Sequence, residues 1–220
     1  MTNTIALAWS GGKDSFMALE ALEARDDVHV AALLTTLTDP YRRICMHGVR
    51  ETLLDAQASA LGLPLAKARL PENADNDSYR ECFSAALAPL IENGVTGVAF
   101  GDLFLADVRG FREAQMQALG LDALFPLWGT ATDALAARFI VSGQRAILCC
   151  VDGEQLDPAF LGRAFDAELL ADLPPGADPC GENGEFHTFV HAGPRFAHSI
   201  AFRPGRREVR DGRFHFLDLV

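Results

Sequence analysis

Six consecutive residues, Ser10-Gly11-Gly12-Lys13-Asp14-Ser15, bring together two glycines, a cation, an acid and two hydroxyls. Glycines without a Cβ let the backbone approach a large anion, and N–H groups at a helix start point toward it. Lys13 adds a full positive charge, and Ser10 and Ser15 add hydroxyl donors. The chemistry this combination suits is recognition of a di- or triphosphate. A second concentration of reactive types is Asp178-Pro179-Cys180-Gly181-Glu182-Asn183-Gly184-Glu185-Phe186-His187-Thr188. Two carboxylates, an amide, an imidazole and a hydroxyl fall within residues 182–188, bent by an interrupting glycine. From composition alone, a solvated acidic turn accounts for this stretch as well as an acceptor site does.

The elements that must position these residues follow from hydrophobic patterning. Residues 5–9 are a short apolar run that predicts a buried strand, and from Lys13 the stripe Phe16, Leu19, Leu22 predicts a one-faced helix. Strands are expected at 28–35, 65–70 and 97–100, and helices at 50–61, ended by Gly62, and 78–92, with Pro89 near its end. Such alternation predicts an α/β fold with a doubly wound parallel sheet. Right-handed crossovers place every strand-to-helix loop along one edge, where ligands of these sheets bind. Gly101-Asp102, after the fourth strand, should therefore lie beside the glycine loop. Beyond it, helices at 111–119 and 132–141 and a strand at 145–151 are expected. Residues 174–181 carry too many breakers to be regular, and Asp211-Gly212 marks a hairpin. A boundary near 125 divides the chain into a domain at 1–125 and a smaller α+β subdomain at 126–220.

A hydrophobic share of 49 % in 220 residues is enough for a sizeable core. There is no apolar run of membrane-spanning length and no signal-peptide pattern at the N-terminus, so a cytoplasmic protein without a membrane partner is expected. The five cysteines form no C-x-x-C pair, and Cys149-Cys150 sits in an apolar run that reads as core. A net charge of −11 disfavours nucleic acid as a partner. Arg203, Arg206, Arg207, Arg210 and Arg213 read as a solvated hairpin face.

The loop is not a Walker A motif, because Leu7 stands at its first glycine and Asp14 follows the lysine. It resembles instead the S-G-G-x-D-S loop of the N-type ATP pyrophosphatases, which have a HUP-like fold. The later segment resembles the G-E-N-G-E-[FY]-H-T signature of the diphthine–ammonia ligase family. Met46-His47, Gln57 with Leu61-Gly62-Leu63-Pro64-Leu65, Gly101-Asp102, Pro126-Leu127-Trp128-Gly129, Phe160-Leu161-Gly162-Arg163 and Pro194-Arg195-Phe196 fall in that family's order. Large fungal and animal members are expected to carry further C-terminal domains, which makes this chain look like the short, single-unit form.

The resemblance implies an AMP-forming amidation. ATP adenylates a carboxylate, pyrophosphate leaves, and ammonia attacks the acyl-adenylate. It implies ATP and Mg2+ as cofactors, with a protein diphthine or a small acid as acceptor and ammonia as co-substrate. Ser10, Gly11, Gly12, Lys13 and Ser15 then bind polyphosphate, with Lys13 also catalytic. Asp14 either positions the metal or caps the helix. Gly101 and Asp102 stand beside the nucleotide, with Asp102 as metal ligand or N-cap. Glu182, Asn183, Glu185 and His187 form the acceptor side, where Glu182, Glu185 or His187 takes a proton from the amine. Phe186 among the carboxylates would suit the trimethylammonium of diphthine. His47 either faces the nucleotide or is an ordinary histidine. Oligomeric state is open, a homodimer included. Two other readings stand beside this one: a tRNA-modifying enzyme of the same superfamily, and a nucleotide-binding sensor without turnover.

Overall fold

A computed structural model describes residues 2–220, which cluster into two compact units. The first contains the residues up to Ser10, Asp14–Cys45 and Leu63–Gly129. Its sheet is built around β1 (Asn3–Ala8), which pairs in parallel with β2 (Val28–Thr38) and β5 (Gly97–Ala99). β4 (Leu65–Leu70) adds to β2 and β6 (Asp122–Leu124) to β5, both in parallel. Among the described residues of this sheet, only the two-residue β3 (Arg43–Ile44) runs antiparallel, against the end of β2. This is the parallel α/β sheet the alternation predicts. Helix α1 (Lys13–Glu23) follows β1. Helices α3 (Asn76–Glu92) and α4 (Ala106–Ala118) share one core, in which Phe83, Leu87 and Met116 meet Ala6, Leu34, Val98 and Phe100. Asp75 caps α3 by accepting from the Ser78 N–H at 2.8 Å, and Pro89 lies in its last turn. α4 starts five residues ahead of the expected 111, because residues 106–110 bury no face and so carry no stripe.

The second unit contains Gly11–Lys13, Met46–Gly62 and Thr130–Val220. Four antiparallel strands run in the order β8 (Phe186–Ala192), β7 (Arg145–Asp152), β10 (Phe214–Leu219), β9 (Pro204–Arg210). Helices α2 (Glu51–Leu61), α5 (Thr132–Val141) and α6 (Ala167–Asp172) belong to the same unit. Cys149 and Cys150 on β7 are buried thiols, as expected, and burial pushes Cys150 up to about 12. Asp211 (φ 53°) and Gly212 (φ 64°) supply the consecutive left-handed residues that a tight hairpin turn needs.

β8 is a strand the patterning does not reveal, since it emerges directly from the glycine-rich segment. The arginine cluster also departs from expectation. Arg203 and Arg206 are exposed, but Arg213 forks onto the carboxylate of Asp152, with Nε 2.7 Å from Oδ1. Asp152 is 1 % exposed, and this guanidinium holds its carboxyl well below the usual carboxylate range. Arg207 donates to the Leu161 carbonyl, and Arg210 lies 4.6 Å above the Phe216 ring. The cluster is thus partly structural, because β7 ends on a buried acid that needs a cation. Among the described residues, no helix is long and apolar enough to cross a membrane.

Candidate functional site

The glycine loop contributes to both units, and each half has its own geometry. In the first unit, Ser10 and Ser15 place their hydroxyl oxygens 3.2 Å apart. Asp14 occupies the first turn of α1. Gly101, just past β5, is pressed against that turn. A Cβ on it would lie 3.0 Å from the Asp14 carbonyl oxygen and 3.1 Å from the Ser15 nitrogen. A side chain there would displace backbone, so the close approach explains the glycine.

Asp102 follows immediately. Its Oδ2 is buried without a hydrogen-bond partner, and the nearest cation is the Arg112 Nε at 3.9 Å. Burial raises the Asp102 pKa, Arg112 opposes the rise, and the charge of Asp14 adds to it. The two acids are therefore electrostatic neighbours. An orphaned carboxylate oxygen beside a second carboxylate suits a hard cation, and Mg2+ characteristically takes one or two carboxylates plus waters and phosphate oxygens. Among the described residues, no cluster of three His, Cys, Asp or Glu side chains could hold a metal ion by itself. Asp14 and Asp102 thus fit a metal shared with a phosphate ligand, not a closed protein cage. Arg112 is fixed by donating to the Tyr79 hydroxyl at 2.6 Å and lies 4.9 Å over the Phe100 ring.

In the second unit, Gly11 adopts φ +75°, a conformation that side chains resist. A Cβ there would lie 2.7 Å from Leu54 Cδ2 and 2.8 Å from Gln57 Oε1. Gln57 is fully buried, and its Nε2 donates to the carbonyls of Gly11 (3.0 Å) and Val190 (2.6 Å). The Val190 N–H donates to the same Gly11 carbonyl at 2.9 Å. Gly12 is buried beside it. Lys13 is 2 % exposed, its backbone N–H donates to Thr188 Oγ1 at 3.0 Å, and its ammonium donates to the Cys180 carbonyl. The ammonium also lies 5.6 Å from the Phe165 ring centroid and 5.8 Å from that of Phe186. These contacts compensate a buried charge that would otherwise be costly.

The expected acceptor segment is organised from within. Glu185 is 3 % exposed, and its Oε1 accepts from the Asp178 N–H (2.8 Å) and the Asn183 amide (3.1 Å). Its Oε2 is buried without a hydrogen-bond partner. Asp178 Oδ1 in turn accepts from the N–H groups of Cys180 (2.8 Å) and Glu182 (3.2 Å). A solvated acidic turn does not describe this arrangement: Glu185 is turned inward, whereas Glu182 and Asn183 keep solvent exposure. The Phe186 ring is 2 % exposed and lies within reach of the Lys13 ammonium. That overturns its expected use as an open aromatic face for a trimethylammonium group.

His187 stands 4.4 Å, ring centroid to ring centroid, from His47. Burial and then the Lys13 charge lower His187 to about 4. Burial, His187 and Lys13 together depress His47 well below its ordinary value. At neutral pH the pair is uncharged. His47 Nδ1 is buried and makes no hydrogen bond.

Four participants escape residue-by-residue reading: the pairing of His47 with His187, the acceptor role of Thr188, the Arg112 beside Asp102, and Gln57. The last left a signal. Position 57 falls on the same helical stripe as Leu54, Ala58 and Leu61, where a polar side chain is anomalous.

A mostly parallel sheet of this order, with an SGGKDS loop between its central strand and first helix, defines a HUP-like α/β protein. The family profile for the diphthamide synthase N-terminal domain matches residues 2–123, and that for its C-terminal domain matches 132–216. The chain belongs to the diphthamide synthase family. It is 30 % identical over 212 residues to the diphthine–ammonia ligase of Danio rerio, covering 87 % of this chain and 83 % of that protein. It is 27 % identical over 218 residues to the human protein of the same name, covering 89 % and 81 %. Such coverage leaves little room in these vertebrate relatives for the extra C-terminal domains expected of animal members.

Proposed function

We propose that the chain is an ATP-dependent, AMP-forming amide ligase acting on a carboxylate, either protein-borne diphthine or a small acid. Its family is one of ATP-dependent amide ligases, and its relatives carry the name diphthine–ammonia ligase. One observation carries the reading furthest: Lys13 of the glycine loop is bonded to Thr188 and Cys180 of the glutamate-bearing segment. Lys13 and the glutamate-bearing segment are thus parts of one unit.

In this reading Ser10, Gly11, Gly12, Lys13 and Ser15 hold the polyphosphate. Asp14 and Asp102 would hold Mg2+, which would supply positive charge to the departing pyrophosphate. A carboxylate oxygen of the substrate attacks the α-phosphorus, and the α–β bond breaks. Ammonia then attacks the acyl carbon, and AMP leaves. As nitrogen bonds to carbon it becomes cationic, and its proton is then acidic enough for a weak base. Uncharged His187, with His47 against it, suits that task, and the burial and Lys13 charge that keep it neutral also disfavour ammonium beside it. Glu182, Asn183 and Glu185 complete the amine side, being acceptors for N–H groups. Glu185 also fixes the backbone at Asp178.

The test is product analysis with ATP, ammonium and a panel of carboxylates. AMP and pyrophosphate are expected; ADP and phosphate would overturn the proposal. Lys13→Met, checked for folding by circular dichroism, should lose ATP consumption with every acceptor. Glu185→Gln should affect mainly the amidation half.

A further inference from the structure

The ligase reading requires a place for the acceptor carboxylate, and the segment 178–187 is ill suited to it. Asp178, Glu182 and Glu185 are themselves anionic, so a second carboxylate would meet repulsion there. Elsewhere, the first unit has an open cleft of about 350 Å3, lined by Asn76 and Tyr79 of α3 and by Asp107, Val108, Phe111 and Arg112 of α4. That volume falls in the range of small-molecule sites, ~300–1,000 Å3. Its walls are aromatic and aliphatic, and the Tyr79 and Phe111 rings lie 6.1 Å apart.

Its charged lining is one guanidinium, that of Arg112, and one carboxylate, that of Asp107. Arg112 lines the cleft, and one of its nitrogens is already held by the Tyr79 hydroxyl. Its Nε makes no hydrogen bond. Outside the lining, the Arg80 guanidinium sits 5.2 Å over the Phe111 ring and is paired with Asp77 at 3.0 Å. With that ring under Arg80 and Tyr79 bound to Arg112, the aromatic faces do not offer a cage for a cationic ligand. Arg112 also connects the cleft to Asp102, 3.9 Å away, and Asp102 follows the glycine packed against Asp14 and Ser15.

We propose that this cleft binds the acceptor: a small organic carboxylate with an uncharged, apolar or aromatic body, its carboxylate on Arg112 and its body against Val108 and Phe111. The proposal rests on the ligase reading for the fate of the ligand, but its binding can be measured without nucleotide. With Nε buried toward Asp102 and one terminal nitrogen on Tyr79, Arg112 has its other terminal nitrogen left for a charge-assisted hydrogen bond to a carboxylate. Asp107, on the same wall, repels an acid bound carboxylate-first toward it and so favours a single orientation.

The experiment uses the full chain without ATP. Acetate, butyrate, benzoate and 3-phenylpropionate are titrated by ligand-observed NMR, each beside its own amide. At least one aromatic acid should bind with Kd on the order of 1 mM, the strength expected of so small a ligand, and its amide at least about tenfold more weakly. Arg112→Gln should weaken the acid by about tenfold or more and leave the amide unchanged. Val108→Trp, which keeps Arg112 and fills the cleft, should abolish binding of both. Thermal melts establish that each variant is folded. Binding that survives in Val108→Trp, an acid and amide that bind alike, or no binding by any of the four acids would overturn the proposal. Pyrophosphate release with ATP separates the two readings. Arg112-dependent binding without AMP formation would leave the cleft and remove the ligase. AMP formation unaffected by Val108→Trp would leave the ligase and remove the cleft.

Discussion

At the scale of single residues, Gly11 and Gln57 set the shape of the glycine loop. Gly11 is the position where a left-handed backbone and a neighbouring side chain jointly exclude a Cβ. Gln57 ties its carbonyl to that of Val190 from inside the apolar face of α2. Replacing Gln57 with Leu keeps the volume roughly constant and leaves buried carbonyl groups short of a donor. The expected cost is about 1–3 kcal/mol, read as a lower urea midpoint at unchanged slope. A loss below roughly 0.5 kcal/mol, the level of an ordinary surface change, would show that the amide does not organise the loop. Gly11→Ala should be at least as costly, because strain and overlap with Leu54 and Gln57 add. In both variants nucleotide affinity should fall further than stability alone explains.

At the scale of elements, the sharpest dependence is that of β7 on the β9–β10 hairpin. Asp152 ends β7 buried, and Arg213 at the hairpin turn is the cation that makes this tolerable. Arg213→Met leaves a carboxylate in the interior. Removing the cation should lower stability, and the exposure of Arg213 to solvent keeps the loss below that of a fully buried pair. Adding Asp152→Asn to Arg213→Met removes the stranded charge and should recover at least half of the loss. If the double variant is no more stable than Arg213→Met alone, the pair is not what secures the hairpin. A comparable argument covers α3: Asp75 caps it, and its apolar stripe enters the same core as α4, so the helix is held at both its start and its flank.

At the scale of the whole molecule, acid should unfold this protein in two stages. His187 has a folded value of about 4 against an ordinary 6.5, so between those values the unfolded chain binds a proton that the folded chain refuses. Stability is therefore complete above pH 6.5 and falls as pH drops toward 4, with His47 adding to the loss in the same direction. The fall is on the order of 1–3 kcal/mol. Asp152, held below the usual range, contributes stability that is lost only below about pH 4. Urea midpoints measured from pH 7.5 downward should show both stages, and a His47→Gln, His187→Gln variant should lack the first. A wild-type profile flat from pH 7 to 4.5 would contradict it. How much of this was legible beforehand depends on the range of the interactions. Residues 65–70 and 132–141 carried their own strand and helix signals, because period and residue type are local properties of the chain. β8, the inward turn of Glu185, the burial of Phe186, the Arg213–Asp152 fork and the meeting of His47 with His187 were not legible. Each depends on partners that only folding brings together, such as positions 47 and 187, 140 residues apart. The sequence determined which groups are present and the class of fold that carries them. Tertiary structure alone decided which of them are desolvated or paired, since desolvation and charge pairing are set by distance in space and not along the chain.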